Sequence, residues 1–156
     1  MTTTNTDRQL VLTRVIDATP EKIFRCWTTP ELLQKWFAPK PWTTPVAELD
    51  VRAGGASNIV MRSPEGADYP APGIYLEVVP NRKLVFTDAF SAGWIPAGEP
   101  FMTAEITLEP TADGKTVYTA TARHWTSEAC ERHIKMGFHE GWGQCTTQLE
   151  ELAKSI

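Results

Sequence analysis

Strand alternation aims two titratable side chains of this 156-residue chain at its interior. In KLVFTDAF, residues 83–90, Asp88 is in phase with Leu84 and Phe86. In KTVYTATARHW, residues 115–125, His124 is in phase with Tyr118, Ala120 and Ala122. An inward carboxylate or imidazole can serve as general acid or base, or anchor the polar end of a ligand. Tyr118 is the third candidate for such chemistry. Both Asp88 and His124 also stand near strand ends, which favours the plainer reading that each lies in water or is satisfied by backbone. Cys130, His133 and His139 raise the question of a metal. Cys130 and His133 share a helix face at i, i+3, but His139 stands about 240° around the helix from His133. No fourth ligand is evident, so neither a metal nor any other cofactor is expected. Cys145 falls on an apolar stripe with nothing nearby in sequence to lower its pKa, which suits an inert buried thiol. No nucleophile–base signature, phosphate loop or dinucleotide fingerprint is present.

The elements that must position these residues follow from periodicity. QLVLTRVID (9–17) is rich in β-branched residues and reads as a strand. Thr19 then caps a helix with Pro20 at its first position and Ile23, Phe24 and Trp27 on one face. Pro30 opens a second short helix carrying Leu32, Leu33, Trp36 and Phe37, which Pro39 and Pro41 end. About six strands follow: 46–52, 56–63, 73–79, 83–90, 101–109 and 115–125. Gly54-Gly55, Pro80-Asn81 and Asp113-Gly114 make turns, and PEGADYPAP and SAGWIPAGEP read as loops. The clearest alternation is FMTAEITLE, with Met102, Ala104, Ile106 and Leu108 on one side. From Ser127 a single helix is expected to run to Leu152, about 35 Å long. Its apolar stripe is Ile134, Phe138, Trp142, Cys145, Leu149 and Leu152.

A meander of strands with one apolar face implies an antiparallel sheet, and only the last helix is long enough to cover it. The expected fold is therefore α+β: a curved antiparallel sheet around a long C-terminal helix. Gly137, Gly141 and Gly143 interrupt that helix, each at a cost of about 1 kcal/mol relative to alanine. Either the sheet backbone approaches closely there, or space is left between helix and sheet.

Composition narrows the function classes. The chain is 42% hydrophobic and 22% charged, enough for a real core in one domain, residues 9–156, behind a frayed polar lead-in at 1–8. The net charge of −4, without a run of Lys or Arg, argues against nucleic acid and against an anionic membrane surface. No apolar run approaches a membrane span, and no secretory signal is seen. Three cysteines without CxxC spacing suit free thiols in the cytoplasm.

Five pieces in order carry a resemblance: the entry IDATPEKIF (16–24), the helix LLQKWFAP (32–39), the turn Gly54-Gly55, the hairpin VVPNRKLVFT (78–87) and the helix motif Gly141-Trp142. Together they make the chain resemble the activator of heat-shock-protein-ninety ATPase homologue-like family, of the START-like superfamily that includes the major birch pollen allergen, over roughly residues 9–154. The resemblance implies a helix-grip fold with a hydrophobic cavity between sheet and helix. Alternation would line such a cavity with Leu76, Val78, Phe86, Asp88, Met102, Ala104, Ile106, Tyr118, Ala120, Ala122 and His124, and the helix would add Phe138, Trp142, Cys145 and Leu149. The recurrence of small residues, Ala104, Ala120 and Ala122, favours a pocket of about 300–1,000 Å³ over a filled core, the alternative in which they meet Trp and Phe.

The leading expectation is a binding protein for a small hydrophobic or aromatic molecule, acting as monomer or homodimer. The resemblance also implies a chaperone-linked module. Dedicated eukaryotic activators of that family carry an added N-terminal domain for which these residues leave no room. A cyclase- or hydrolase-like enzyme is the third reading. The loop 91–100, with Trp94 and Ile95, is read equally as a lid, a tucked segment or a dimer contact.

Overall fold

A computed structural model describes residues 6–156. Of the expected lead-in, residues 1–5 lie outside the described residues, while Thr6–Arg8 form a 3-10 turn. Strand β1 (Gln9–Ile16) leads into α1 (Pro20–Thr28), whose start is set as the sequence implies: the Thr19 hydroxyl accepts the Lys22 N–H at 3.4 Å and Pro20 occupies the first turn. Helix α1 buries Ile23, Cys26 and Trp27. Helix α2 (Pro30–Leu33) is only one turn, but the chain after it folds Trp36 back so that its indole N–H donates to the Cys26 carbonyl at 3.0 Å.

Eight further strands follow: β2 (Thr43–Leu49), β3 (Ser57–Arg62), β4 (Asp68–Ala71), β5 (Ile74–Val79), β6 (Lys83–Thr87), β7 (Phe90–Ser91), β8 (Ile95–Pro96) and β9 (Thr103–Pro110). Then come β10 (Thr116–Arg123), α3 (Ser127–Lys135) and α4 (Phe138–Ser155). The main sheet is antiparallel in the order β1-β10-β9-β6-β5, and β2-β3-β4 form a second sheet. The two meet where Gly54 N–H donates to the Tyr75 carbonyl at 2.7 Å and Tyr75 N–H to the Gly55 carbonyl at 3.0 Å. At this seam a side-chain carbon on Gly55 would collide with the Asp50 carbonyl, and one on Gly73 with the Thr87 carbonyl. The bend between the sheets therefore depends on two positions that admit no Cβ. No helix is long and apolar enough to cross a membrane among the described residues.

The structure departs from the sequence reading in four places. The single C-terminal helix is two, because Gly137 sits in the left-handed region at φ +95° and separates α3 from α4. Helix α4 is about 27 Å long at ~1.5 Å per residue, and Ile134 falls off its stripe to 46% exposure. The PEGADYPAP loop contains β4, an edge strand whose four residues are all exposed, a position where Pro70 is tolerated. Within 91–100, β7 and β8 form a small hairpin turning through Gly93 and Trp94. Leu76, expected inward, is 36% exposed, since a bulge between Tyr75 and Glu77 leaves it unpaired and turns Tyr75 in instead.

Gly73→Ala is expected to cost about 1–3 kcal/mol, because a backbone carbonyl must move to admit the methyl. Gly98→Ala, which meets nothing within 4 Å, should cost little. Urea denaturation of the two variants measures the difference, and equal midpoints would refute the tight seam.

Candidate functional site

The concave side of the main sheet divides into two apolar clusters, and Trp142 packs against both. The larger is closed by rings. Trp27 lies 5.6 Å from Phe86, 4.8 Å from Trp36 and 6.0 Å from Phe37, and its indole N–H donates to the Tyr118 hydroxyl at 3.2 Å. Ala120, Ile106, Tyr118 and Leu149 are buried here, with Val78, Phe86 and Cys145 partly buried against them. The Cys145 thiol donates to the Phe37 carbonyl at 3.2 Å, and burial pushes its pKa up to about 12. Burial likewise raises Tyr118 far above the ordinary phenol range. Neither group ionises near neutral pH, so neither supplies a thiolate or phenolate to this half of the interior.

The smaller cluster lies at the end of the crevice beneath α3. Leu10, Ala122, Cys130 and Phe138 are buried, and Met102 and Trp142 pack against them while keeping partial exposure. Ala104 is fully buried on the neighbouring strand. At this end His124 stands at the close of β10 with 6% exposure, as does His133 on α3. Their rings meet, His124 Nε2 lying 2.9 Å from His133 Nδ1. The Arg8 carbonyl faces both the His124 N–H at 2.7 Å and His124 Nδ1 at 3.1 Å. Around His133 stand Phe101 at 4.8 Å, Phe138 at 5.1 Å and Trp142 at 5.9 Å between ring centroids. Burial, reinforced by the repulsion of a charge on His124, pushes the His133 pKa down to about 4. It is neutral at pH 7, as an imidazole walled by aromatic rings must be.

The expected site residues are thus partly brought together. His124 is inward as its parity implies, and it is indeed satisfied by backbone through Arg8, but its outer nitrogen is spent on another histidine. Asp88 is held by backbone alone: its carboxylate accepts the Phe101 N–H at 2.9 Å on both oxygens and the Met102 N–H at 3.1 Å. It thereby closes the segment carrying the β7–β8 hairpin and holds Phe101, whose ring is 5.6 Å from the His124 imidazole. Sequence reasoning weighed His133 for a metal and missed its partner. The shared face of Cys130 and His133 was the available signal, since it marks the inner side of α3. His139 is exposed on α4, and no cluster of three metal-ligating groups forms among the described residues. Phe101 was missed because alternation over 101–109 sets it on the face opposite Met102, whereas β9 begins only at Thr103.

Two hollows open beside these clusters, and α4 lines neither. One, of about 380 Å³, is bordered by Arg8, Gln9, Thr103, Arg123, His124 and Trp125 and so abuts the outer side of the histidine pair. The other, of about 190 Å³, lies between α2 and β2. On the hairpin, Trp94 rests 5.8 Å from Phe90 and against Gly54, yet it and Ile95 are each 60% exposed.

A family model described as activator of Hsp90 ATPase homolog 1-like protein matches residues 17–154. A protein from Nitrosomonas europaea, known from a crystal structure, is 43% identical over 96% of both chains with a TM-score of 0.92. A crystal structure from Chromobacterium violaceum is 27% identical over 92% of this chain and 96% of its own, with a TM-score of 0.74. A solution structure from Staphylococcus epidermidis is 26% identical, covering 99% and 94%, with a TM-score of 0.81. Comparison with curated proteins finds no match.

The depressed pKa of His133 has a sign that can be checked. Between pH 6.5 and about 4 the unfolded imidazole takes a proton that the folded one refuses, so stability is lost as pH falls through this window. His133→Asn, which keeps an N–H near the position of Nδ1 and cannot titrate, should show a shallower fall of melting temperature over the same range. Parallel pH profiles for the two proteins would contradict the burial of a neutral imidazole.

Proposed function

Because the chain belongs to the family of activator of Hsp90 ATPase homolog 1-like proteins, we propose that it binds a small apolar or aromatic molecule at the α3 end of the sheet–helix crevice. The observation that carries this reading is the division of the interior. The larger cluster is closed by Trp27, Trp36, Phe37 and Phe86, while the smaller, among the described residues, sets four buried apolar residues beside the histidine pair under a nine-residue helix. Its rim is made of Met102 and Trp142, both partly exposed, and the flexible thioether of Met102 adapts to ligands of varied shape. Helix α3 is joined to α4 through Met136 and the left-handed Gly137, and Met136 is 72% exposed. The small side chains of Ala104 and Ala122 then give the guest its floor. The lining expected around Trp27 and Tyr118 is occupied by protein rings in this structure, so the proposed site is confined to the other half. Free thiols at Cys26, Cys130 and Cys145 agree with a cytoplasmic setting.

The family's description supports a second reading, coupling to a chaperone ATPase, and the exposed Trp94–Ile95 tip supplies an apolar surface for it. ATP turnover by the chaperone, unchanged at saturating protein, would remove this reading.

Ligand binding is tested with a naphthalene-type fluorescent dye and with small aromatics in a thermal-shift series. Saturable uptake is expected, with stabilisation of about 2.7 kcal/mol at a hundredfold excess over Kd. Met102→Glu should weaken binding about tenfold or more, because the guest would bury its carboxylate. Absence of saturable uptake by the native fold would refute the proposal.

A further inference from the structure

The Arg8 carbonyl can only accept, so the hydrogen it shares with His124 Nδ1 must reside on that nitrogen. With its ring hydrogen on Nδ1, His124 presents a bare Nε2, which can only accept. The bond at 2.9 Å therefore takes its hydrogen from His133 Nδ1. Neutral His133, protonated at Nδ1, is left with a lone pair on Nε2. No hydrogen-bond partner for that nitrogen exists among the described residues, and it is not among the sealed polar atoms. The residue is nevertheless 6% exposed and surrounded by the rings of Phe101, Phe138 and Trp142.

From this chain of hydrogen bonds we infer that His133 Nε2 is the polar recognition point of the site, accepting a hydrogen bond from a single O–H or N–H on an otherwise apolar guest. The inference rests on the reading of the preceding subsection that the α3 end takes such a guest. It adds a specificity: hydrocarbons without a donor, and carboxylates or ethers that offer only acceptors, leave the lone pair unmet. Carboxylates are further disfavoured by burial among rings. Arg8 and His124 act as positioning residues, since the carbonyl fixes the His124 tautomer and His124 in turn fixes that of His133. Cys130 lies in the same cluster, with its thiol raised above its ordinary pKa by burial and by the charges of Asp7 and Glu131, which disfavours a thiolate–imidazolium pair with His133.

The test compares 4-ethylphenol with ethylbenzene, which share shape and differ in one donor. Calorimetry on the wild-type chain should give roughly fivefold tighter binding of the phenol. His133→Asn keeps the N–H directed at His124 and deletes Nε2, so the preference should fall to about one or reverse. Nitrogen-15 spectra of the imidazoles give a readout that needs no variant: both histidines should be protonated at Nδ1, and only the phenol should move the His133 Nε2 resonance. Equal affinity for the two compounds, a preference that survives in His133→Asn, or a free His133 protonated at Nε2 would overturn the inference while leaving ligand binding intact. Failure of both compounds to bind would remove the underlying reading and the inference with it.

Discussion

The contact between His124 and His133 continues a hydrogen bond from the Arg8 carbonyl, 116 residues before His124, and so ties three parts of the chain together. Through it the end of β10, the turn at Thr6–Arg8 and helix α3 share one hydrogen-bonded line that starts at the Arg8 carbonyl. A polar group left unmatched in an apolar surrounding costs on the order of 1–3 kcal/mol, and the pair requires His133 Nδ1 to meet His124 Nε2. That requirement dictates where α3 must lie. It also explains the break at Gly137. A continuous helix would keep Ile134 in line with Phe138 and Trp142; in the folded chain Ile134 is exposed and His133 is buried, so the inner face shifts by one residue across the break. The glycine that looked costly in a long helix makes the shift possible, since φ +95° is strained for any side chain with a Cβ.

The other half of the crevice is governed by packing. Trp27 is placed by α1 against Phe86 and Tyr118, and the hydrogen bond from its indole to the Tyr118 hydroxyl satisfies both polar tips in the core. Ala120 is thus paired with bulky neighbours in the manner of a filled core. Ala104 and Ala122 belong to the end where the covering element is a short helix set off from α4 by Gly137. The same kind of small residue therefore has two roles along one sheet, decided by what lies above it.

Much of this architecture was legible in the chain. Alternation in 101–109 and 115–125 gave strands with the correct inward sets, and Thr19-Pro20 marked a helix start that the fold contains. What was not legible depended on how one element pairs with the next, which the pattern of a single segment does not show. Leu76 obeys the alternation of its own segment, and only pairing with β6 reveals the bulge that expels it. Strand β4 contains a proline and no apolar pattern, so it exists because β3 offers an edge. The histidine pair needs the register of α3 against the end of β10, which no local pattern encodes. The comparison chains settle the family and the fold, and the site must be argued from the residues just described.

The most direct measurement is a methyl spectrum of the protein labelled at its four methionines and titrated with a small aromatic alcohol. Met102 is at the rim of the proposed site, whereas Met61 lies on β3 in the other sheet. A guest beneath α3 should shift the Met102 methyl saturably and leave Met61 in place. A Met102 resonance that stays fixed while the alcohol binds would contradict the account.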